Sequence, residues 1–407
     1  MSKIRIEMFP AIDGDCLLVN YGNKLDLHIL IDGGRKETYN SFLKKRLKEI
    51  NSKGEIINLL IVTHIDSDHI EGIIELLKDN ESSDTSTIIK INEIWHNGLC
   101  HIPIHKKTPN KISQMEEDIL EEIIAANSKN SSDKKNDDSE ISYKQGNTLF
   151  DLICMGEYKW NKSFGKKAIN FDLQKEVTFG DLKIKILSPN SKMLEKISRK
   201  WLNTLNKYKY GFYLNDEKIF DNAFELFMKN DHPIYSNENE EISHSDYSKI
   251  EFLDMLNFNH ENDKSVTNGA SISFIIEYGT KKMLFLGDSH CDIVKESIKE
   301  LIKNENYKPF FDIIKLSHHG SIKNISKDFL KIIDGYKYLI STNGTKHGHP
   351  DLPVLAWIVS RDKRIHRKLL FNYNNTASKY YNTSKLKKTY NYSVIVPESI
   401  KPTIIDL

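Results

Sequence analysis

Four side chains able to bind a metal ion fall within six residues: His64, Asp66, Asp68 and His69. The apolar run Leu59-Leu60-Ile61-Val62 stops just before them, and an apolar rhythm of helical spacing starts at Ile70. A buried strand that empties carboxylates and imidazoles into a tight turn leaves them repelling or unsatisfied unless a cation gathers them. The stretch predicts a metal site on a strand–turn–helix unit.

Other predicted strand ends carry the same residue types. A strand over 283–286 runs into Gly287-Asp288, and one over 311–316 runs into Ser317-His318-His319-Gly320. His96 follows a strand over 88–95, Asp32 one over 28–31, and His349 stands shortly after one over 336–340. Strands that share a sheet bring their carboxyl ends to one edge, so these groups converge if the strands are neighbours. Asp288, His318 and His319 join the ligand candidates. His319, if not a ligand, and His349 are candidates to protonate a leaving group or hold developing charge. His96 reads either as a weak further ligand or as a satisfied buried histidine. Asp32 reads either as a weak ligand or as a residue that fixes the turn.

The positioning elements alternate strand and helix, which implies an α/β layer fold. Helical spacing covers 39–50, 70–78, 113–126, 292–302 and 352–359; a hairpin turning at Gly180-Asp181 covers 176–188. The segment 127–140 is polar and of low complexity, and reads as a mobile loop. Residues 191–263 change character to helical pieces (192–206, 219–228, 248–257) between charged loops, a helical insertion. The chain then divides into 1–190, the insertion 191–263, and 264–407.

The 407 residues carry a formal charge of +1, so no global field draws the protein to nucleic acid or membrane. The four cysteines form no CxxC pair, against a thiolate metal site or a disulfide framework. Without a signal-like apolar core or a membrane-length apolar run, the expectation is a cytoplasmic protein that does not span a membrane. One local stretch is basic. It includes Arg361, Lys363, Arg364, Arg367 and Lys368, with aromatics interleaved, and reads either as a nucleic-acid-binding surface or as a solvated sheet edge.

His64-x-Asp66-x-Asp68-His69 resembles the HxHxDH signature of the metallo-β-lactamase fold, and Leu284-Phe285-Leu286-Gly287-Asp288 is similar to the strand that bears its bridging aspartate. The order of Gly14-Asp15, Asn268-Gly269-Ala270-Ser271, Lys315-x-x-His318-His319-Gly320-Ser321 and Gly348-His349-Pro350 resembles the metallo-hydrolase domain of bacterial competence DNA-uptake channel proteins. The motifs span residues 13 to 350; the insertion lies outside them, and Asp66 stands where the signature has a second histidine. The resemblance implies a four-layer αββα fold with a first half sheet from 1–190 and a second from 264–407. It implies two divalent metal ions, zinc or manganese, held by His64, Asp66, Asp68, His69, Asp288 and His318, with Asp68 also orienting the attacking hydroxide. The function it implies is a metal-dependent hydrolase, first a nuclease or phosphodiesterase acting on DNA or RNA through a metal-bound hydroxide. The other readings are a small-molecule ester, lactone or cyclic-nucleotide hydrolase, and a degenerate site in a partner-binding or sensor module. A protein partner would dock on the 191–263 insertion.

Overall fold

The computed structural model describes residues 3–102, 110–128, 148–230 and 251–407. The predicted loop 127–140 therefore falls outside the described residues from 129 onward, as does 231–250 of the insertion.

Among the described residues fourteen strands form two sheets. In chain order they are β1 (Lys3–Met8), β2 (Leu17–Gly22), β3 (Leu27–Ile31), β4 (Ile57–Ile61), β5 (Ile94–Trp95), β6 (Glu176–Phe179), β7 (Leu182–Ser188), β8 (Ser273–Tyr278), β9 (Lys281–Phe285), β10 (Phe310–Lys315), β11 (Asp334–Ile340), β12 (Arg367–Phe371), β13 (Tyr392–Ile395) and β14 (Thr403–Asp406). The first sheet has the order β14-β1-β2-β3-β4-β5, the second β13-β12-β11-β10-β9-β8-β7-β6. Strands β3 to β5 run parallel, as do β9 to β13.

The layers follow from where the apolar side chains go. Alternate residues of each strand face opposite sides. Ile6, Ile29, Ile61, Ile184, Phe274, Phe285 and Leu339 meet in one core between the sheets. The remaining faces are covered by helices. Leu18, Leu30 and Leu60 pack under the helices Lys44–Asn51 and Ser67–Asn80, while Leu284, Ile314 and Leu369 pack under Cys291–Glu305 and Leu352–Val359. The order is helix, sheet, sheet, helix: the αββα architecture of the metallo-β-lactamase fold.

Two boundaries differ from the expected halves. The hairpin β6–β7 adds to the second sheet by pairing β7 with β8, and the last strand, β14, returns to the first sheet beside β1. Alternation in a sequence tells which side chains are buried, not which sheet buries them. The insertion also recruits a helix from the first half. Gln114–Ser128 joins Ser191–Tyr208 and Lys218–Asn230 around one apolar cluster, with Leu120, Ile123, Ile197, Trp201 and Phe224 at its centre. The expected helix over 248–257 is, among its described residues, the short Phe252–Met255.

Candidate metal centre

Every residue of the centre stands just past the carboxyl end of a strand. After β4 the chain crosses Val62 and Thr63 to His64 and Asp66, and Asp66 is the N-cap of the helix Ser67–Asn80. Asp68 and His69 lie in that helix's first turn, where the helix dipole favours a carboxylate. Asp288 follows β9, and His318 and His319 follow β10. Two close backbone approaches set the helix against β3. A Cβ on Gly72 would lie 2.0 Å from the Gly33 oxygen, and one on Gly14 would lie 1.7 Å from the Asp68 oxygen.

The four imidazoles share one arrangement. His69 donates from Nδ1 to Asp32 Oδ2 at 2.9 Å, and His319 from Nδ1 to the Ser341 carbonyl at 2.8 Å. Thr63 Oγ1 donates to Asp32 Oδ2, which leaves its lone pair for His64 Nδ1 at 3.0 Å. Asn324 donates from Nδ2 to Asp263 and to the Asp288 carbonyl, so its Oδ1 accepts from His318 Nδ1 at 2.8 Å. With each Nδ1 carrying a proton, an arriving cation would find each Nε2 lone pair turned toward it, the tautomer a metal ligand needs.

Those lone pairs converge on one atom. Asp288 Oδ2 lies 3.8 Å from His64 Nε2, 3.5 Å from His69 Nε2, 3.8 Å from His318 Nε2 and 3.7 Å from His319 Nε2. Asp66 Oδ2 is 3.5 Å from His64 Nε2, and Asp68 Oδ2 is 3.6 Å from His69 Nε2 and 3.2 Å from His319 Nε2. His64 Nε2, His69 Nε2, Asp66 Oδ1 and Asp288 Oδ1 are buried without a hydrogen-bond partner. Buried lone pairs this close cost free energy unless something positive sits among them. The donor set, imidazole nitrogen with carboxylate oxygen, fits zinc, manganese or iron. Among the described residues three groups of ligand atoms, each within 4.8 Å, can be drawn: His64, His69 and Asp288; Asp68, His69 and His319; and Asp15, Asp32 and His69.

Electrostatics follow the geometry. Burial raises the Asp288 carboxyl, but the facing His69, His319 and His318 outweigh it and hold it well below the usual carboxylate range. Burial lowers the His319 imidazole, yet Asp288 and Asp15 push it up to about 10. A cation drawn into the cluster takes the place of those imidazolium protons.

The structure brings together His64, Asp66, Asp68, His69, Asp288, His318 and His319. His319, read from sequence as a candidate ligand or else a proton donor, lies inside the cluster with the other candidate ligand atoms. His349 stays at its rim, with its ring 5.2 Å from that of His318 and its Nδ1 3.5 Å from Asp351 Oδ2. Asp32 stands behind His69 and Thr63, each of its oxygens engaged there by a hydrogen bond, and it forms the third group with Asp15 and His69. His96 lies outside all three groups: its Nδ1 faces the Val62 carbonyl, its ring stacks on Trp160, and burial pushes it down to about 3.

The basic stretch is only partly on the surface. Arg367 is 1% exposed and grips Asp334; Arg361 binds the Leu330 and Ile333 carbonyls and Asp334. Arg364 pairs with Asp362, Lys363 lies over Tyr390, and Lys368 is half-buried on β12. The stretch surrounds the start of β12, whereas Asp288, His318 and His319 stand where β9 and β10, parallel to β12 in the same sheet, end.

Sequence reasoning gave no role to Asp15, Lys315, Asp263, Asn324 or Ser341. Lys315 did carry a signal, a lysine ending the strand Phe-Phe-Asp-Ile-Ile-Lys; it is 1% exposed and ion-paired with the equally buried Asp15. Asp15 Oδ1 is 3.4 Å from His319 Nδ1. Among the described residues no helix is long and apolar enough to cross a membrane.

No protein-family model matches the sequence, and no curated protein matches it. Solved structures do. The metallo-β-lactamase fold protein YhfI from Bacillus subtilis is 9% identical over 100% of both chains, with a TM-score of 0.38. The diiron β-hydroxylase CmlA from Streptomyces venezuelae is 8% identical, with 99% of this chain and 54% of CmlA covered and a TM-score of 0.37. The short form of human tRNase Z is 10% identical over 98% of both chains, with a TM-score of 0.35. Each is a likeness of fold.

Proposed function

We propose that the chain is a metal-dependent hydrolase that cleaves phosphodiesters. One observation carries the reading: a single carboxylate oxygen, Asp288 Oδ2, faces four imidazole Nε2 atoms within 3.8 Å. His64 and Asp66 with Asp288 would hold one cation; Asp68 and His69, with Asp288 and one of His318 and His319, would hold the other. Bound divalent cations would polarise the phosphoryl group and lower the pKa of water toward neutrality. The chain's own residues do the rest. Asp68 Oδ2 faces the cluster from its more open side, with a side chain 16% exposed, and can accept a proton from an attacking water. His349, 14% exposed beside Asp351, can hold a proton for the leaving oxygen at the rim. Asp32 and Asn324 keep the imidazoles in one tautomer.

The test compares wild type with Asp288→Ala. Each is purified without added chelator, analysed for metal, and assayed with zinc, manganese and magnesium on bis(p-nitrophenyl) phosphate and on p-nitrophenyl acetate. The expected result is about two metal ions per wild-type chain, phosphodiester turnover, and loss of both in Asp288→Ala. A wild type that binds no metal, or an Asp288→Ala variant with normal turnover, overturns the reading. Turnover of the acetate alone would move it to small esters.

A further inference from the structure

The helix Ser191–Tyr208 opens the insertion and has two unlike faces. Met193, Leu194, Ile197, Trp201 and Leu205 are buried in the insertion's core. On the other face Lys192, Lys196, Arg199 and Lys207 are exposed. Their spacing of four, three and eight residues sets them in one row, because residues three and four apart are neighbours on a helix. One acid flanks the row, Glu195, and Arg199 pairs with it at 3.0 Å.

Both ends of the row matter. The first turns lie beside Gly269 and His290, and His290 is linked to His318 through Asp263 and Asn324. A Cβ on Gly269 would meet the Met193 side chain at 2.2 Å and the His290 ring at 2.9 Å, and Lys196 is near enough to His290 to lower its pKa, behind the larger effect of burial. His290 Nε2 is 3.7 Å from Asp263 Oδ2, which in turn binds Asn324, the partner of His318. At the far end, about 27 Å along an 18-residue helix, three tyrosines stand in solvent. Tyr208 is 49%, Tyr210 95% and Tyr213 62% exposed. Single tyrosines on a surface are ordinary; three in six residues, at the end of a cationic row that starts beside His290, form a platform and a track.

We infer that the substrate of the metal centre is a single-stranded nucleic acid, laid along the outer face of Ser191–Tyr208 with its phosphates on the basic row and its bases on the tyrosines. The inference rests on the phosphodiesterase reading for its chemistry. It takes the nucleic-acid surface away from the start of β12. Cations spaced along a groove or ridge bind backbone phosphates, and aromatic faces stack on unpaired bases of any sequence. A duplex hides those base faces, so the surface prefers a single strand.

The test is fluorescence anisotropy with a labelled 20-nucleotide single strand, in wild type with chelator and, as a second cleavage-free host, in Asp288→Ala. The triple variant Lys192→Glu/Lys196→Glu/Arg199→Glu is expected to weaken binding at least tenfold. Losing three phosphate contacts should also lower the slope of log affinity against log salt by about two. Tyr208→Ala/Tyr210→Ala/Tyr213→Ala is expected to weaken the single strand by about tenfold or more while leaving a duplex of the same sequence unchanged. Both variants should hydrolyse bis(p-nitrophenyl) phosphate as wild type does, which shows them folded and separates the surface from the chemistry. Unchanged binding in the basic triple overturns the inference, and so does equal binding of polyglutamate, which would mark a protein-docking surface. Oligonucleotide binding without phosphodiester turnover would leave the surface and remove the hydrolase.

Discussion

The pair Asp15–Lys315 offers the sharpest test of how the centre is held. Both residues are 1% exposed. Lys315 ends β10 three residues before His318, binds Asp15 Oδ2 and donates to the Leu316 carbonyl at 2.9 Å. Asp15 turns its other oxygen toward His319 Nδ1. Lys315→Met keeps the length of the stem and removes the charge, leaving a buried carboxylate beside a single imidazole. Breaking a buried pair from one side costs about 3–5 kcal/mol, most of it the stranded charge. Asp15→Leu strands the ammonium and costs a similar amount. The double variant strands neither, and a well-packed apolar pair of like volume is close to neutral. The coupling energy from urea unfolding should therefore be several kcal/mol. Metal affinity should behave differently: in the double variant stability returns, but the carboxylate facing His319 is gone, so metal affinity should stay below that of wild type. Additive stability losses in the double variant would refute the reasoning, as would a Lys315→Met chain within about 0.5 kcal/mol of wild type (the usual range for surface substitutions).

Three further outcomes can be checked directly. Asp263→Asn replaces an acceptor by an amide at the point where Asn268 and Asn324 both donate; Asn324 should turn, His318 lose its Nδ1 acceptor, and zinc affinity by competition titration fall about 10–100-fold. Glu225 is buried under the start of the helix Leu149–Met155, where it accepts from the Leu149 and Phe150 amides, and burial pushes its carboxyl up to about 7. Its folded-state pKa lies above the unfolded one, so the folded chain holds the proton more tightly. The resulting stability is full below the unfolded pKa and is lost as pH rises through about 7. The stability difference between wild type and Glu225→Gln should change over that window and be flat above it; a difference constant with pH would refute this. Asp66→His exchanges a hard oxygen for an imidazole beside His64, so competition between zinc and manganese should shift toward zinc; an unchanged ratio would show that Asp66 does not ligate.

Much of the fold was legible because its strands are continuous apolar runs closed by turn residues. Ile57–Ile61, Lys281–Phe285 and Phe310–Lys315 stand where such runs stand, and Leu352–Val359 matches the predicted helix 352–359. Partner choice was less legible. Nothing in Thr403-Ile404-Ile405-Asp406 says that it pairs with β1 near the other end of the chain. Arg367 shows the same limit. In sequence it belongs to a basic stretch; in space Asp334, which starts the neighbouring strand, draws it inward.

The centre was legible as a set and not as an arrangement. Residue types at strand ends were enough to name His64, Asp66, Asp68, His69, Asp288 and His318, because buried carboxylates and imidazoles at one sheet edge have few other reasons to gather. Dividing roles between His318 and His319 was beyond any periodicity. Neighbouring side chains on extended backbone point apart, and on that rule one histidine faces the site and the other does not. Both residues instead adopt left-handed backbone, with φ of 45° and 56°. Such a conformation is uncommon outside glycine and is held here by what surrounds it: Asn324 takes the first ring and the Ser341 carbonyl the second. Both Nε2 atoms then face Asp288. The partners that decide this, Asn324 and Ser341, carry no chemical signature of their own, so only the folded chain shows that the two adjacent histidines serve one carboxylate.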